Sequence, residues 1–357
     1  MAKVLMKGCE AIAEAAVRAG CRFFAGYPIT PQNEIPEYLS WRLPEVGGVF
    51  VQGESEVASV NMVYGAASSG CRSMTSSSGP GISLKAEGIS YLAGTGIPAV
   101  IVNISRGGPG LGSIQPAQQD YLQATKALGH GGFRAMVFAP ATLQEAVDLT
   151  YNAWDYAERD RTPVMILMDG CLGAIMELVE FPEMKEPDRA GTKNWDLNRP
   201  ADSTRAARML TPYFPEAILE LKNTSQKKML ERWEQNDVKV EEFMTEDAEY
   251  IIVAYGISAR VSKEAILRLR EEGYKVGMIR PITLYPFPKE SFRKLNYEQV
   301  KGFIDVELAI PAQMHDDIEL EVRGRAPIYE YCRSGGLLFD DDGVYTAVKK
   351  ILDGGAK

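Results

Sequence analysis

Gln52-Gly53-Glu54-Ser55-Glu56-Val57-Ala58-Ser59-Val60-Asn61-Met62-Val63-Tyr64-Gly65 is the stretch on which the fold turns. Apolar Val49-Phe50-Val51 precedes it as a short strand, and small apolar residues carry a helix through it. Two carboxylates, Glu54 and Glu56, thus stand where a buried strand hands over to an apolar helix, an unfavourable place for charge. One reading makes them helix-start devices. Acids in a first turn gain about 0.3–1 kcal/mol from the helix dipole, and Ser55 is a natural N-cap. That reading serves Glu54, the more peripheral of the two. The other makes one of them a reagent: residues two apart do not share a helix face, so only one points into a cleft. Glu56, followed by Val57, Ala58, Ser59 and Val60, is that candidate, because a small apolar run suits packing beside a flat ring.

Outward from this junction the same alternation recurs. Helices are predicted over 7–19, 56–69, 82–93 and 142–159, with a short one near 120–128. Strands are predicted over 22–26, 49–51, 72–76, 99–104, 135–139 and 164–169. This rhythm implies an α/β fold with a mostly parallel sheet covered on both faces, whose ligands sit beyond the carboxyl ends of the strands. The alternation makes 1–180 one domain. It lapses over 181–247, where Pro182, Pro187 and Pro200 sit among charges before a polar helix over 215–236, a linker with a bridging helix. A second, smaller α/β domain follows over 248–357, ending in a helix over 343–352.

Composition narrows the function. The 357 residues are 45% hydrophobic and 24% charged, enough for two cores, and the net charge of −9 argues against a nucleic-acid footprint or a polybasic membrane patch. No apolar run reaches membrane-spanning length, and Met1 to Lys7 leads into an amphipathic pattern without a leader's apolar core, so a cytoplasmic protein is expected. Cys9, Cys21, Cys71, Cys171 and Cys332 lack metal-ligand spacing. An iron–sulfur cluster needs four clustered thiolates, so any such centre belongs to another chain. The two histidines, His130 and His315, have no partner motif, and His130 reads as a loop residue.

Three more strand exits carry chemistry. In Gly26-Tyr27-Pro28-Ile29-Thr30-Pro31, Thr30 reads as an N-cap with Pro31 at the first helical position, or as a hydroxyl for an anionic substrate group. In Thr75-Ser76-Ser77-Ser78-Gly79-Pro80-Gly81, small residues let the backbone approach a ligand closely, without the lysine of a phosphate loop. In Asn103-Ile104-Ser105-Arg106-Gly107-Gly108-Pro109-Gly110-Leu111-Gly112, an arginine fork fit for a carboxylate stands among glycines that lack the dinucleotide spacing. At Asp169-Gly170 the preceding residue is Met168, so Asp169 reads as a strand-end acid rather than a metal ligand, with Asn194 downstream.

These four strand exits, in this order, closely resemble the alpha-type subunit of 2-oxoacid:ferredoxin oxidoreductases, and Ile279-Arg280-Pro281-Ile282-Thr283-Leu284-Tyr285-Pro286-Phe287-Pro288 resembles that subunit's transketolase C-terminal-type domain. Pro28-Ile29-Thr30-Pro31-Gln32-Asn33-Glu34-Ile35-Pro36-Glu37-Tyr38 is most similar to the branched-chain (2-oxoisovalerate) members. The resemblance implies a pyrimidine-binding domain for thiamine diphosphate. There the position of Glu56 bonds the ring nitrogen N1′, favouring the imino tautomer that deprotonates the thiazolium carbon. Arg106, assisted by Thr30, holds the substrate carboxylate, and Tyr27, Pro28, Ser78 and Gly79 line the cofactor. The reaction implied is coenzyme A-dependent oxidative decarboxylation of a 2-oxoacid. Without Gly-Asp-Gly, magnesium and diphosphate fall to a beta-type subunit. Without clustered cysteines, electrons pass to iron–sulfur clusters elsewhere, in a complex with gamma-type and ferredoxin-like subunits. Three other readings stay open: a 2-oxoglutarate enzyme, which needs a further cation such as Arg72 or Lys85; an assembly-only subunit; and an NAD-dependent dehydrogenase resting on the glycines of 107–112.

Overall fold

The computed structural model describes residues 3–188, 192–198 and 214–354. At its centre lie β5 (Val100–Gly107) and β8 (Val164–Asp169), every residue of both buried, as near-continuous apolar runs must be when helices cover both faces. The first sheet runs in the order β13 (Thr283–Tyr285), β7 (Met136–Phe138), β8, β5, β4 (Ser73–Ser77), β2 (Phe23–Gly26) and β3 (Val49–Gln52). Its neighbours are parallel except β13, which arrives from the C-terminal half and pairs antiparallel with β7. A short strand, β6 (Ser113–Pro116), folds back on the end of β5.

Helices α1 (Gly8–Arg18), α2 (Glu34–Glu45) and α6 (Leu143–Asp160) cover one face, around Ile12, Leu39, Leu43 and Trp154. The other face carries α3 (Glu56–Ser68) and α4 (Gly79–Thr95), with Val60, Val63, Ile82 and Ile89 in its core. Two short helices, α5 (Tyr121–Thr125) and α7 (Gly170–Ala174), follow β6 and β8, and β9 (Met176–Val179) returns to pair with β1 (Val4–Lys7).

The second sheet has the order β10 (Val240–Phe243), β12 (Val276–Pro281), β11 (Tyr250–Val253), β14 (Gly302–Glu307) and β15 (Ile328–Cys332), parallel except for β10. Helices α9 (Gly256–Glu271) and α12 (Asp341–Leu352) cover one face. On the other, Ile251, Phe303 and Ile318 of α11 (His315–Val322) share a continuous core with Ile89 of α4, so the halves bury apolar surface against each other. The buried Arg280 adds a polar tie, donating to Glu145 of α6 at 2.9 and 2.6 Å and to Glu241 of β10 at 2.6 Å. Beyond α8 (Glu216–Asn236), held by a bond of 2.7 Å from the Trp233 indole to Asp160, β10 lies within the 181–247 stretch read as linker. The last short helix is α10 (Lys289–Arg293). Among the described residues no helix is long and apolar enough to cross a membrane.

Three local expectations need correction. The strand before Glu56 is not buried: β3 is the sheet's edge, its residues exposed or half-buried. Thr30 is not an N-cap, because α2 begins at Glu34, after Asn33. Helix α4 starts at Gly79 rather than at 82, and α9 likewise starts on a glycine, Gly256, since these residues enter the helix at φ +26° and +55°, open to glycine. Pro80 fits a first turn, where no amide partner is lost.

Candidate active site

The carboxyl ends of β2, β3, β4 and β5 open around the N-terminus of α4, and that helix start divides the candidate residues into two adjoining groups. Glu56 belongs to the first. Ser55 caps α3 by accepting the Ala58 amide at 3.1 Å, which leaves Glu56 as the first helical residue, 7% exposed. It is turned toward α4: a Cβ built on Gly81 would lie 2.8 Å from the Glu56 Oε1 and 2.0 Å from the Ser77 hydroxyl. One turn further, Lys85 is completely buried, and its ammonium has no hydrogen-bond partner. Burial pulls the Lys85 pKa down to about 8, with the Glu56 charge opposing the fall. The hydroxyls of Ser77 and Ser78 are likewise buried and unpartnered.

Arg106 anchors the second group. Its guanidinium, 4% exposed, donates to the carbonyl of Thr30 at 2.8 Å and of Leu111 at 3.1 Å, and its Nε has no partner. Beside it Asp120 receives the Asn103 amide at 3.1 Å. Burial raises the Asp120 carboxyl above the usual carboxylate range, opposed by the hydrogen bond from Asn103 and by the Arg106 charge. Gly79 faces this group, its built Cβ 3.7 Å from Asp120 and 3.9 Å from Arg106. The cleft here has a volume of about 570 Å³; Arg106, Asp120, Gly79, Pro80, Leu84 and Pro109 are among its walls.

The predicted residues therefore divide. Thr30, Arg106 and Gly79 come together, Thr30 through its carbonyl rather than its hydroxyl. Glu56 meets Gly81 and Ser77 across the helix start, and Ser78 is the residue before that start. Tyr27 and Pro28 are exposed on the loop after β2, where the Tyr27 carbonyl accepts from Gln32 at 3.4 Å. Asp169 points elsewhere: it accepts the amides of Cys171, Leu172 and Ile257 at 3.0–3.1 Å, as a strand-end acid capping α7. Asn194 accepts from Arg161 at 3.0 Å. The glycines of 107–112 do not open a helix but turn β5 into β6, and a Cβ on Gly112 would strike the Gly107 carbonyl at 1.8 Å. That removes the one feature favouring a dinucleotide site. Arg72 is committed to Glu158 and Asp155 at the opposite end of β4.

Asp120 and Asn103 are functional candidates that motif reading missed, and Lys85 entered it only as a possible further cation for a second carboxylate. Asn103 interrupts an apolar strand, and Lys85 occupies the apolar stripe Ile82, Lys85, Ile89, Leu92 of α4. Both irregularities are visible in the sequence.

These groups fit a flat, nitrogenous ring. A buried carboxylate, two orphaned hydroxyls and a glycine, Gly81, too crowded for a side chain form a cradle with polar capacity left over. Among the described residues no cluster of three or more histidine, cysteine or acidic side chains can hold a metal.

A family model described as pyruvate flavodoxin/ferredoxin oxidoreductase, thiamine diphosphate-binding, matches residues 14–245, and one described as pyruvate:ferredoxin oxidoreductase core domain II matches 248–341. The ketoisovalerate oxidoreductase subunit VorB of Methanothermobacter marburgensis is 45% identical over 98% of this chain and 98% of the relative. The 2-oxoglutarate synthase subunit KorA of Methanocaldococcus jannaschii is 34% identical over 83% of this chain and 86% of the relative. Among solved structures, 2-oxoglutarate:ferredoxin oxidoreductase from Magnetococcus marinus, with 2-oxoglutarate, coenzyme A and succinyl-CoA bound, superposes with a TM-score of 0.81 at 26% identity. The match covers 98% of this chain and 65% of that one.

Proposed function

Since this chain belongs to the alpha-type subunits of 2-oxoacid:ferredoxin oxidoreductases, a thiamine diphosphate-binding family, we propose that Glu56 is the residue through which it acts on the cofactor. The observation carrying this is the buried Glu56 carboxylate held against Gly81, beside the unpartnered Ser77 hydroxyl. Bound thiamine diphosphate supplies the carbon nucleophile and the electron sink for decarboxylation. Glu56 holds a proton at the pyrimidine N1′, and Ser78, Gly79, Tyr27 and Pro28 bound the ring. Arg106 receives the 2-oxoacid carboxylate, since two of its five N–H groups go to carbonyls and the rest remain free. Thr30 fixes the fork through its carbonyl.

The substrate is a branched-chain 2-oxoacid such as 2-oxoisovalerate. Two observations support this over 2-oxoglutarate: the higher identity to a ketoisovalerate subunit, and a cleft whose walls carry Arg106 as their cation, together with Asp120 and the apolar Leu84, Pro80 and Pro109. A second carboxylate would need a second cation.

Magnesium and the diphosphate belong to a beta-type partner, iron–sulfur clusters to ferredoxin-like and gamma-type chains, and coenzyme A accepts the acyl group. Leu84, Leu111 and Ile114, exposed about the cleft mouth, fit a site completed by another subunit. Five free thiols fit a reducing, cytoplasmic setting. The test is Glu56→Ala in the assembled complex. Turnover of 2-oxoisovalerate drops by at least about 100-fold, the usual contribution of a positioned acid or base; unchanged turnover refutes the assignment.

A further inference from the structure

A fully buried lysine whose ammonium bonds to nothing is rare, because stranding a charge in a dry interior is costly unless something offsets it. Lys85 is in that position, and its place in the fold is specific. It lies four residues after Gly81, one helical turn along α4 and on the same face, and Gly81 is the residue packed against Glu56. The Glu56 carboxylate of α3 is the ionised group whose field Lys85 feels. Of the other nearby acids, Glu87 on α4 accepts from the Tyr91 hydroxyl at the surface, and Asp120 stands at the start of α4 beside Arg106 and Gly79. The strand before α4 contributes a neutral polar group, the unpartnered hydroxyl of Ser77, against Gly81.

We propose that Lys85 is a positioning residue for Glu56: its buried ammonium supplies the counter-charge of the carboxylate and thereby lowers the proton affinity of the ring nitrogen that the carboxylate touches. This rests on the assignment of Glu56 to thiamine diphosphate. The sign follows from electrostatics. A cation near a base makes protonation of that base harder, and its removal makes it easier. Lys85 touches no reacting atom; it acts through Glu56. It also makes the site sensitive to pH, because a lysine that loses its proton under mildly alkaline conditions relaxes its hold on the carboxylate as it does so.

The experiment uses the assembled complex loaded with thiamine diphosphate, as wild type, Lys85→Met, Lys85→Gln and Lys85→Arg. The readout is the near-ultraviolet circular dichroism of the bound aminopyrimidine, titrated against pH without substrate. Both neutral variants move the protonation midpoint upward by about one pH unit, a tenfold gain in proton affinity, and Lys85→Arg moves it back toward wild type. Either neutral variant suffices should the other fail to assemble. Midpoints equal to wild type in the neutral variants, or a shift that arginine leaves in place, overturn the proposal. Calorimetric titration of the wild-type complex with thiamine diphosphate separates the two levels: absent binding overturns the site assignment itself, whereas binding with an unmoved midpoint overturns only the role of Lys85.

Discussion

Replacing Lys85 with methionine should change the stability of the protein in a pH-dependent way, and the size of the change follows from its burial. The ammonium titrates near its ordinary 10.5 in the unfolded chain and at about 8 in the fold, where burial is the main cause and Glu56 opposes it. At about 1.4 kcal/mol for each pH unit between those values, carrying the charged lysine costs the fold about 3 kcal/mol below pH 8. Between pH 8 and 10.5 the unfolded chain binds more protons than the folded one, so stability rises with pH across that window. Methionine has a similar length and no charge to bury, so the variant lacks this rise. The assay compares denaturant midpoints of wild-type and Lys85→Met complexes from pH 7 to pH 10, with subunit dissociation followed in parallel. The variant's advantage is greatest at pH 7 and shrinks by about 3 kcal/mol at the alkaline end, whatever constant packing difference separates the two proteins. Parallel curves would refute the reasoning, because they would mean that Lys85 is solvated or otherwise paired in the fold.

Two glycines of α4 separate site geometry from packing. Gly81→Ala pushes a methyl against Glu56 and the Ser77 hydroxyl and should cut both cofactor affinity and turnover, while Gly88→Ala meets Val60 at 2.4 Å and should cost about 1–3 kcal/mol of stability with cofactor affinity retained; calorimetry and thermal melts distinguish the two. Arg280→Met leaves Glu145 and Glu241, both half-buried, without their shared guanidinium and should cost about 1–3 kcal/mol, visible as a lowered unfolding midpoint and as faster proteolysis between the halves.

The alternation of strand and helix was legible because it is set by local chemistry. Apolar runs such as Val164–Asp169, and the polar punctuation between them, say what each segment becomes without reference to its neighbours. Sheet order is another matter. Nothing in Val49–Gln52 distinguishes an edge strand from a buried one, since its apolar content suits either, and its position depends on the pairing of β2 with β4 on the other side. Nor does Thr283–Tyr285 announce that it leaves its own sheet to join β7, a contact more than 140 residues away in sequence. The same limit governs Thr30. Its hydroxyl and the following proline favour a helix start locally, but the Arg106 guanidinium, supplied from another strand, takes the Thr30 carbonyl, and the helix begins at Glu34.

The site divides along the same line. Candidates carried by a motif, Glu56 and Arg106, could be proposed from sequence because their chemistry is unusual where they stand. Lys85 was visible only as a candidate second cation, since its oddity lies in the helical stripe Ile82, Lys85, Ile89, Leu92, where a charge replaces an apolar residue. A charge in such a stripe has two resolutions: the helix turns it outward, or the fold keeps it inside and uses it. Burial to 0% excludes the first, and the Glu56 charge offsets part of the cost of keeping the lysine inside. Glu56 and Lys85 are thus better understood as one unit than as an acid with a bystander. Two opposite charges spaced along the α3–α4 contact keep the interior nearly neutral and leave the carboxylate free to accept a proton donor from outside the chain.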